Sequence, residues 1–208
     1  MTAAQLVVLR HGRTSWNAAG RLQGQADVPL DARGLLQAEQ AAPVLAELAP
    51  SAIYSSDLIR ARQTAEPLAK ACGLRVVTDP RLREIHVGSW EGLSIEEALA
   101  AMGPREVKRW LAGEDVRRSP TGETVSEVGE RAGAALDEIG LAAPDGSTVI
   151  AVMHGLAARA AVCWLSGFPV PTWKRLGGLH NCGWIIVERH RTGDYWRITE
   201  YNVTAPRE

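Results

Sequence analysis

Two stretches of the sequence share one plan: an apolar run that ends in His-Gly. They read "LVVLRHG", ending at His11 and Gly12, and "VIAVMHG", ending at His154 and Gly155. Runs that stay apolar without alternation are typical of strands covered by helices on both faces of a sheet. Ligand sites in open α/β sheets form at the carboxyl ends of the strands. We therefore expect His11 and His154 at the same edge of one sheet.

The rest of the chain alternates between strand-like and helix-like segments. The predicted strands are 5–9, 52–55, 75–78, 148–153, 183–188 and 196–201. The predicted helices are 34–48, 57–71, 94–111, 125–139 and 156–165, with Asp57 as the expected N-cap of the second. This order predicts an α/β fold, a three-layer α/β/α sandwich around a mostly parallel sheet. The length of 208 residues fits a single domain over 1–208.

The overall charge limits the partners. A formal net charge of −1 gives no general basic surface, so neither nucleic acid nor an anionic membrane is an expected partner. The first residues lack a signal-peptide layout and no apolar run is long enough to span a bilayer, which predicts a cytoplasmic protein. A homodimer is possible through tryptophans such as Trp90, Trp110 and Trp173, although core packing explains them equally well.

Two arginines accompany the histidines. Arg10 precedes His11, and Arg60 falls one helical turn after the strand 52–55. Arg60 could instead pair with a carboxylate on its own helix. If both guanidinium groups reach the sheet edge, they form a local anion pocket, and their planar donors suit a phosphate group.

Such a pocket indicates phosphoryl transfer. A neutral histidine can attack phosphorus, and a nearby carboxylic acid can protonate the leaving oxygen. Glu84 in "REIHVG" is the candidate proton donor, because desolvation beside a phosphate would favour its protonated form, and His86 is its rival.

The ordered set "LRHGRTSWN", "YSSDLIRARQTA", "LREIHVGSWEG", "PTGETVSEV" and "VMHG" resembles the histidine phosphatase superfamily, also called the phosphoglycerate mutase-like family. The resemblance runs from about residue 7 to residue 155. It implies the α/β/α sandwich, a covalent phosphohistidine and neither metal nor other cofactor. "LREIHVGSWEGL" and "RLGGLHNCGW" are also similar to bacterial glucosyl-3-phosphoglycerate phosphatases.

The resemblance assigns roles position by position. It implies that His11 is the nucleophile, that Glu84 is the proton donor, and that the phosphate pocket is completed by Arg10, Arg60 and His154. It also implies substrate contacts from Asn17, Gln23, Gly24 and Gly155, although Asn17 and Gln23 could instead stabilise turns.

Two positions depart from the family pattern. Arg13 stands where the family commonly has Glu or Gln, and Met153 stands where it commonly has Ser. We expect Arg13 to strengthen the positive potential at the sheet edge. Arg117 and Arg118 could bind a second acidic group of the substrate or form a solvated face.

The resulting prediction is a phosphomonoester hydrolase. Its expected substrate is a small phosphorylated metabolite, such as a sugar phosphate or a (glucosyl)phosphoglycerate. Two alternatives stay open: a bisphosphoglycerate-dependent phosphoglycerate mutase, and an inactive module that binds a phosphorylated ligand.

Overall fold

The alternating pattern folds into one six-stranded sheet in the computed structural model, which describes residues 5–190, 192 and 195–206. The strands are β1 (Gln5–Arg10), β2 (Ala52–Ser55), β3 (Val76–Thr78), β4 (Thr148–Met153), β5 (Trp184–Arg189) and β6 (Trp196–Val203). Their spatial order is β3-β2-β4-β1-β5-β6. The first four are parallel to one another, β5 pairs antiparallel with β1, and β6 pairs antiparallel with β5. The mostly parallel sheet was predicted correctly.

Helices cover both faces of this sheet. They are α1 (Ser15–Ala18), α2 (Ala32–Ala46), α3 (Ile59–Cys72), α4 (Ile95–Ala100), α5 (Pro104–Leu111), α6 (Val125–Ala142) and α7 (Gly155–Leu165). Short 3₁₀ helices lie at Pro80–Leu82, Gly88–Trp90 and Val170–Arg175. No helix in the described part of the chain is both long enough and apolar enough to cross a membrane.

The sheet separates two apolar cores. Side chains alternate along β1, so that Leu6 and Val8 face α6 and α7, whereas Val7 and Leu9 face α2 and α3. The α/β/α sandwich is thereby confirmed. Trp90 and Trp173 are 3% exposed and belong to the first core, so packing accounts for both.

Two local predictions were wrong. The segment 94–111 is not one helix but α4 and α5, because Pro104 disfavours helical geometry at Gly103 and begins a new helix itself. Asp57 does not cap α3, whose N-cap is Leu58. The Asp57 carboxylate instead accepts two hydrogen bonds from Arg83, at 2.7 and 2.5 Å.

Candidate active site

His11 and His154 lie side by side at the carboxyl edge of the sheet. Strands β1 and β4 pair in parallel with Arg10 opposite Met153, so each histidine is the next residue at the same level. The centroids of the two rings are 5.1 Å apart. Both side chains are buried, with 3% and 0% exposure. The predicted meeting of the two His-Gly segments is therefore present.

The ring of His11 has one nitrogen engaged and one available. Its Nδ1 lies 2.7 Å from the carbonyl oxygen of Gly12. A carbonyl oxygen only accepts, so Nδ1 carries the proton and Nε2 keeps its lone pair. Burial, together with the charges of Arg60 and Arg10, holds the pKa of His11 well below 6.5. The imidazole is therefore neutral at neutral pH, the state that a nucleophile requires.

Arg60 is fully buried on the first turn of α3 and does not pair with a carboxylate on its own helix. Its Nη1 donates to the carbonyl oxygen of Ala26 at 2.6 Å and its Nη2 to that of Gly24 at 2.9 Å. Its Nε donates to Nδ1 of His154 at 3.2 Å. Burial lowers the pKa of Arg60 to about 10, so the group stays charged at neutral pH.

His154 lies behind the pocket rather than on its surface. Because its Nδ1 accepts from Arg60, its Nε2 carries the proton and donates to Oγ of Ser56 at 2.9 Å. Burial and the charge of Arg60 hold the pKa of His154 well below 6.5. A neutral His154 thus packs against the His11 ring and orients the Arg60 guanidinium.

Arg10 has an unsatisfied donor. Its Nη1 donates to the carbonyl oxygen of Leu179, but its buried Nε has no partner in the described part of the chain. Gly155 allows this guanidinium to come close, since a Cβ there would lie 3.2 Å from the Arg10 Nε. A buried N–H group without a partner costs folding free energy unless a ligand accepts its hydrogen bond. The Nε of Arg10 is therefore a candidate contact for an anion.

The Glu84 carboxylate lies at the N-terminus of α7. It accepts hydrogen bonds from the backbone N–H groups of Ile85 and Ala157, both at 2.9 Å, and of Leu156 at 3.1 Å. These bonds hold the carboxylate at the edge of the cavity. His86 does not line that cavity, and its Nδ1 lies 3.0 Å from the carbonyl oxygen of Thr121. Of the two rivals, only Glu84 faces the cavity.

Asn17 and Gln23 present amide groups to the same cavity. The Oδ1 of Asn17 accepts from both the N–H and the hydroxyl of Thr14, each at 3.2 Å. Its Nδ2 is thereby left for the cavity. The side-chain oxygen of Gln23 is buried without a partner in the described chain.

These groups enclose a cavity of about 180 Å³. It is lined by Arg10, His11, Asn17, Arg21, Leu22, Gln23, Gly24, Arg60, Glu84, Ile85, Val87 and Leu156. Of the predicted site residues, only His154 and Gly155 lie outside this lining, and both contact residues that belong to it.

Sequence reasoning missed three residues of this region. Arg21 lines the cavity, and Ser56 holds His154. Asn181 donates from Nδ2 to the carbonyl oxygen of His11 at 3.1 Å and to Oδ1 of Asn17 at 3.2 Å. Asn181 lies in a segment without periodicity, and only the resemblance of "RLGGLHNCGW" to the phosphatases could have drawn attention to it. The second serine of "YSSD" stood at the end of a predicted strand and could have been noticed.

The two departures from the family pattern lie outside the cavity. The Nε of Arg13 donates to the Asp31 carboxylate at 2.8 Å and its side chain lines a different cavity, so it makes no direct contact with the catalytic cavity. The expected effect of Arg13 on the potential at the sheet edge stays a prediction. Met153 is fully buried in the first core.

Arg117 and Arg118 are also engaged elsewhere. Arg117 pairs with Glu127 at 2.5 Å, and the guanidinium of Arg118 stacks 3.9 Å from the centroid of Trp110. Neither lines the catalytic cavity.

The fold and the site together define an α/β protein with a buried His-Arg anion pocket at the edge of a mostly parallel sheet. The family model described as histidine phosphatase superfamily (branch 1) matches residues 6–204. The chain belongs to this superfamily.

Curated relatives and solved structures support the same family. The "Probable phosphoglycerate mutase GpmB" of Serratia proteamaculans is 38% identical over 191 residues, covering 90% of this chain and 86% of the relative. A mycobacterial glucosyl-3-phosphoglycerate phosphatase in complex with VO3 has a TM-score of 0.86 at 35% identity, covering 97% of this chain and 100% of that one. A phosphoserine phosphatase from Entamoeba histolytica, in complex with 3-phosphoglyceric acid, has a TM-score of 0.84 at 29% identity, covering 96% and 97%.

Proposed function

We propose that this protein is a phosphomonoester hydrolase that acts through a covalent phosphohistidine on His11. The observation that carries the proposal is the free Nε2 of a neutral, buried imidazole facing a cavity that also holds an unpartnered Arg10 donor. Phosphoryl transfer needs little covalent chemistry beyond positioning and stabilisation of charge. A fixed nucleophile beside two guanidinium groups, that of Arg60 fully buried and that of Arg10 partly buried, meets that need.

The first step forms the covalent intermediate. Nε2 of His11 attacks phosphorus, the P–N bond forms, and the ester P–O bond breaks. The leaving alkoxide takes a proton from the carboxylic acid of Glu84, which faces the same cavity. Arg10 and Arg60 balance the charge on the non-bridging oxygens, and Asn17 donates from Nδ2 to one of them.

The second step releases phosphate. Water attacks phosphorus, the Glu84 carboxylate accepts its proton, and the P–N bond breaks to restore neutral His11. The ring of His154 holds Arg60 through both steps by the bond between Arg60 Nε and His154 Nδ1. No step requires a metal ion, and we propose that none is used.

The proposed substrates are small phosphorylated metabolites, with phosphoglycerate-type esters as the first candidates. The structural neighbours support this class, because they include a glucosyl-3-phosphoglycerate phosphatase and a phosphoserine phosphatase in complex with 3-phosphoglyceric acid. A panel of phosphomonoesters with detection of released phosphate tests it. The panel contains glucosyl-3-phosphoglycerate, 3-phosphoglycerate, phosphoserine and p-nitrophenyl phosphate.

Quenching during turnover tests the covalent intermediate. Phosphohistidine is labile in acid, so an alkaline quench followed by mass spectrometry is expected to find phosphate on His11. His11→Ala should lose both the label and the release of phosphate. Turnover that persists in His11→Ala contradicts the proposal. If the wild-type protein binds phosphate but hydrolyses no ester, it is a binding module instead of an enzyme.

A phosphoglycerate mutase is the second candidate, because the curated relatives carry that name. A mutase must return the phosphoryl group to a bound sugar acid rather than to water. Interconversion of 3- and 2-phosphoglycerate that is faster than release of phosphate, with a bisphosphoglycerate primer present, would favour the mutase.

A further inference from the structure

The structure contains a second polar cavity, which is separate from the catalytic one. Its volume is about 330 Å³, within the range of small-molecule sites. The two cavities share no lining residue. The second one lies beside the first turns of α2, between that helix and the segments around Asn181 and Thr204.

The polar lining of this cavity is basic or neutral. Arg13, Arg33 and His180 supply the basic groups, and Gln37 and Gln40 supply amides. No acidic side chain lines it within the described part of the chain. In a protein whose formal net charge is −1, such a surface is a local concentration of positive charge.

The arginines retain free donors. Arg13 uses Nε for Asp31, which leaves both terminal nitrogens without a partner among the described residues. The Asp31 carboxylate also caps α2 by accepting from the N–H of Gly34, so it is engaged on two sides. Arg33 is exposed and has no hydrogen-bond partner in the described chain. Two unfilled guanidinium groups on one cavity suit an oxyanion.

We propose that this cavity is a second anion site, which binds a small phosphate-bearing metabolite of two or more negative charges through Arg13, Arg33 and His180. The proposal gives a role to Arg13, which the catalytic site does not use. A volume of about 330 Å³ admits more than a single phosphate group, whereas the catalytic cavity measures about 180 Å³.

The wall of this site reaches the catalytic nucleophile. Asn181 lines the second cavity and donates to the carbonyl oxygen of His11. The N–H of Cys182, which also lines it, donates to the carbonyl oxygens of Arg10 and His11 at 3.1 and 3.3 Å. An anion bound here therefore sits against the segment that supports the end of β1.

Titration calorimetry with inorganic pyrophosphate tests the proposal. One equivalent of orthovanadate per chain is added first, because its bond to the proposed nucleophile His11 directs it to the catalytic cavity and leaves the second cavity free. We expect one further site per chain, with an affinity that falls as salt is added. Arg13→Gln and Arg33→Gln should each weaken it by about tenfold, as expected for loss of a charged hydrogen bond. Arg75→Gln, which removes an exposed arginine that does not line this cavity, is the matched control and should bind as wild type does.

The outcomes separate the second site from the catalytic one. Absence of pyrophosphate binding to the protein that carries one equivalent of vanadate overturns the proposal, as does binding that Arg33→Gln leaves unchanged. Binding that is lost in Arg10→Gln but kept in Arg33→Gln places pyrophosphate in the catalytic cavity and also overturns it. Arg33→Gln should keep the basal hydrolysis of p-nitrophenyl phosphate, which shows that its fold is intact. If no ester is hydrolysed by the wild type, binding measured without vanadate still tests the second site.

Discussion

Asn181 connects the proposed nucleophile His11 to Asn17, which lines the catalytic cavity. Replacement of Asn181 tests whether this connection matters for turnover. Its Nδ2 donates to the His11 carbonyl and to Oδ1 of Asn17 at 3.1 and 3.2 Å. Each bond contributes about 1 kcal/mol net. Loss of both in Asn181→Ala amounts to about 2 kcal/mol, or about a 30-fold fall in kcat/KM if both are needed in the transition state.

Asn181→Asp sharpens the test because it keeps the shape of the side chain and replaces the donor. A carboxylate would place an acceptor against two other acceptors, so we expect a larger loss than in Asn181→Ala. A residue that merely fills space would give the opposite order, since the isosteric change would be the milder one.

The assay is steady-state hydrolysis of p-nitrophenyl phosphate, with kcat and KM reported separately. A double-mutant cycle with Asn17→Ala should be less than additive, because Asn181 acts in part through Asn17. Arg75→Gln, which changes an exposed side chain outside both cavities, is the control. Activity of Asn181→Ala within twofold of wild type, or Asn181→Asp no worse than Asn181→Ala, refutes the reasoning.

The remaining predictions concern the protonation and support of the same site. His11 and His154 are buried and their pKa values are lowered, so below about pH 6.5 the unfolded state binds more protons than the folded state. The free energy of unfolding, measured with urea, should therefore fall by about 1.4 kcal/mol per pH unit for each histidine as the pH drops further. His154→Gln should make that dependence shallower. Glu84→Gln should lower kcat/KM, which reports the phosphorylation step, by about 10²- to 10⁴-fold with alkyl phosphates but much less with p-nitrophenyl phosphate, whose leaving group needs no proton. Equal losses of kcat/KM on both would contradict the role of Glu84 as acid. In Arg60→Lys, a single ammonium group cannot replace the three hydrogen bonds that Arg60 donates to His154 and to two carbonyl oxygens. The free energy of unfolding should therefore fall by about 3 kcal/mol. Little change would show that these hydrogen bonds are dispensable. EDTA should leave turnover unchanged.

The parts of the fold that follow from local pattern were predictable. Apolar runs without alternation predicted the central strands, and the shared His-Gly ending predicted the meeting of His11 with His154, because parallel neighbours end at one edge. Gly103 and Pro104 also indicate the break between α4 and α5, but the helical periodicity on both sides of them favoured a single helix over 94–111.

The parts that depend on distant contacts were not predictable. Asp57 has the right residue type for a cap, yet Arg83 competes for its carboxylate from 26 positions away. Arg13 was read from its neighbours along the chain, whereas Asp31 draws its side chain away from the catalytic edge. Asn181 lies 170 positions from the carbonyl oxygen that it contacts. No local pattern contains such pairs.

The pairing of β1 with β4 makes the site depend on strand length. Neither histidine is placed by a loop of its own; each is simply the next residue after a strand whose partner ends at the same level. A deletion of one residue inside β4 would withdraw His154 by about 3.3 Å and turn it toward the opposite face of the sheet. Insertions and deletions in these two strands should therefore abolish turnover even where the core tolerates them, whereas the chain can lengthen freely at surface loops.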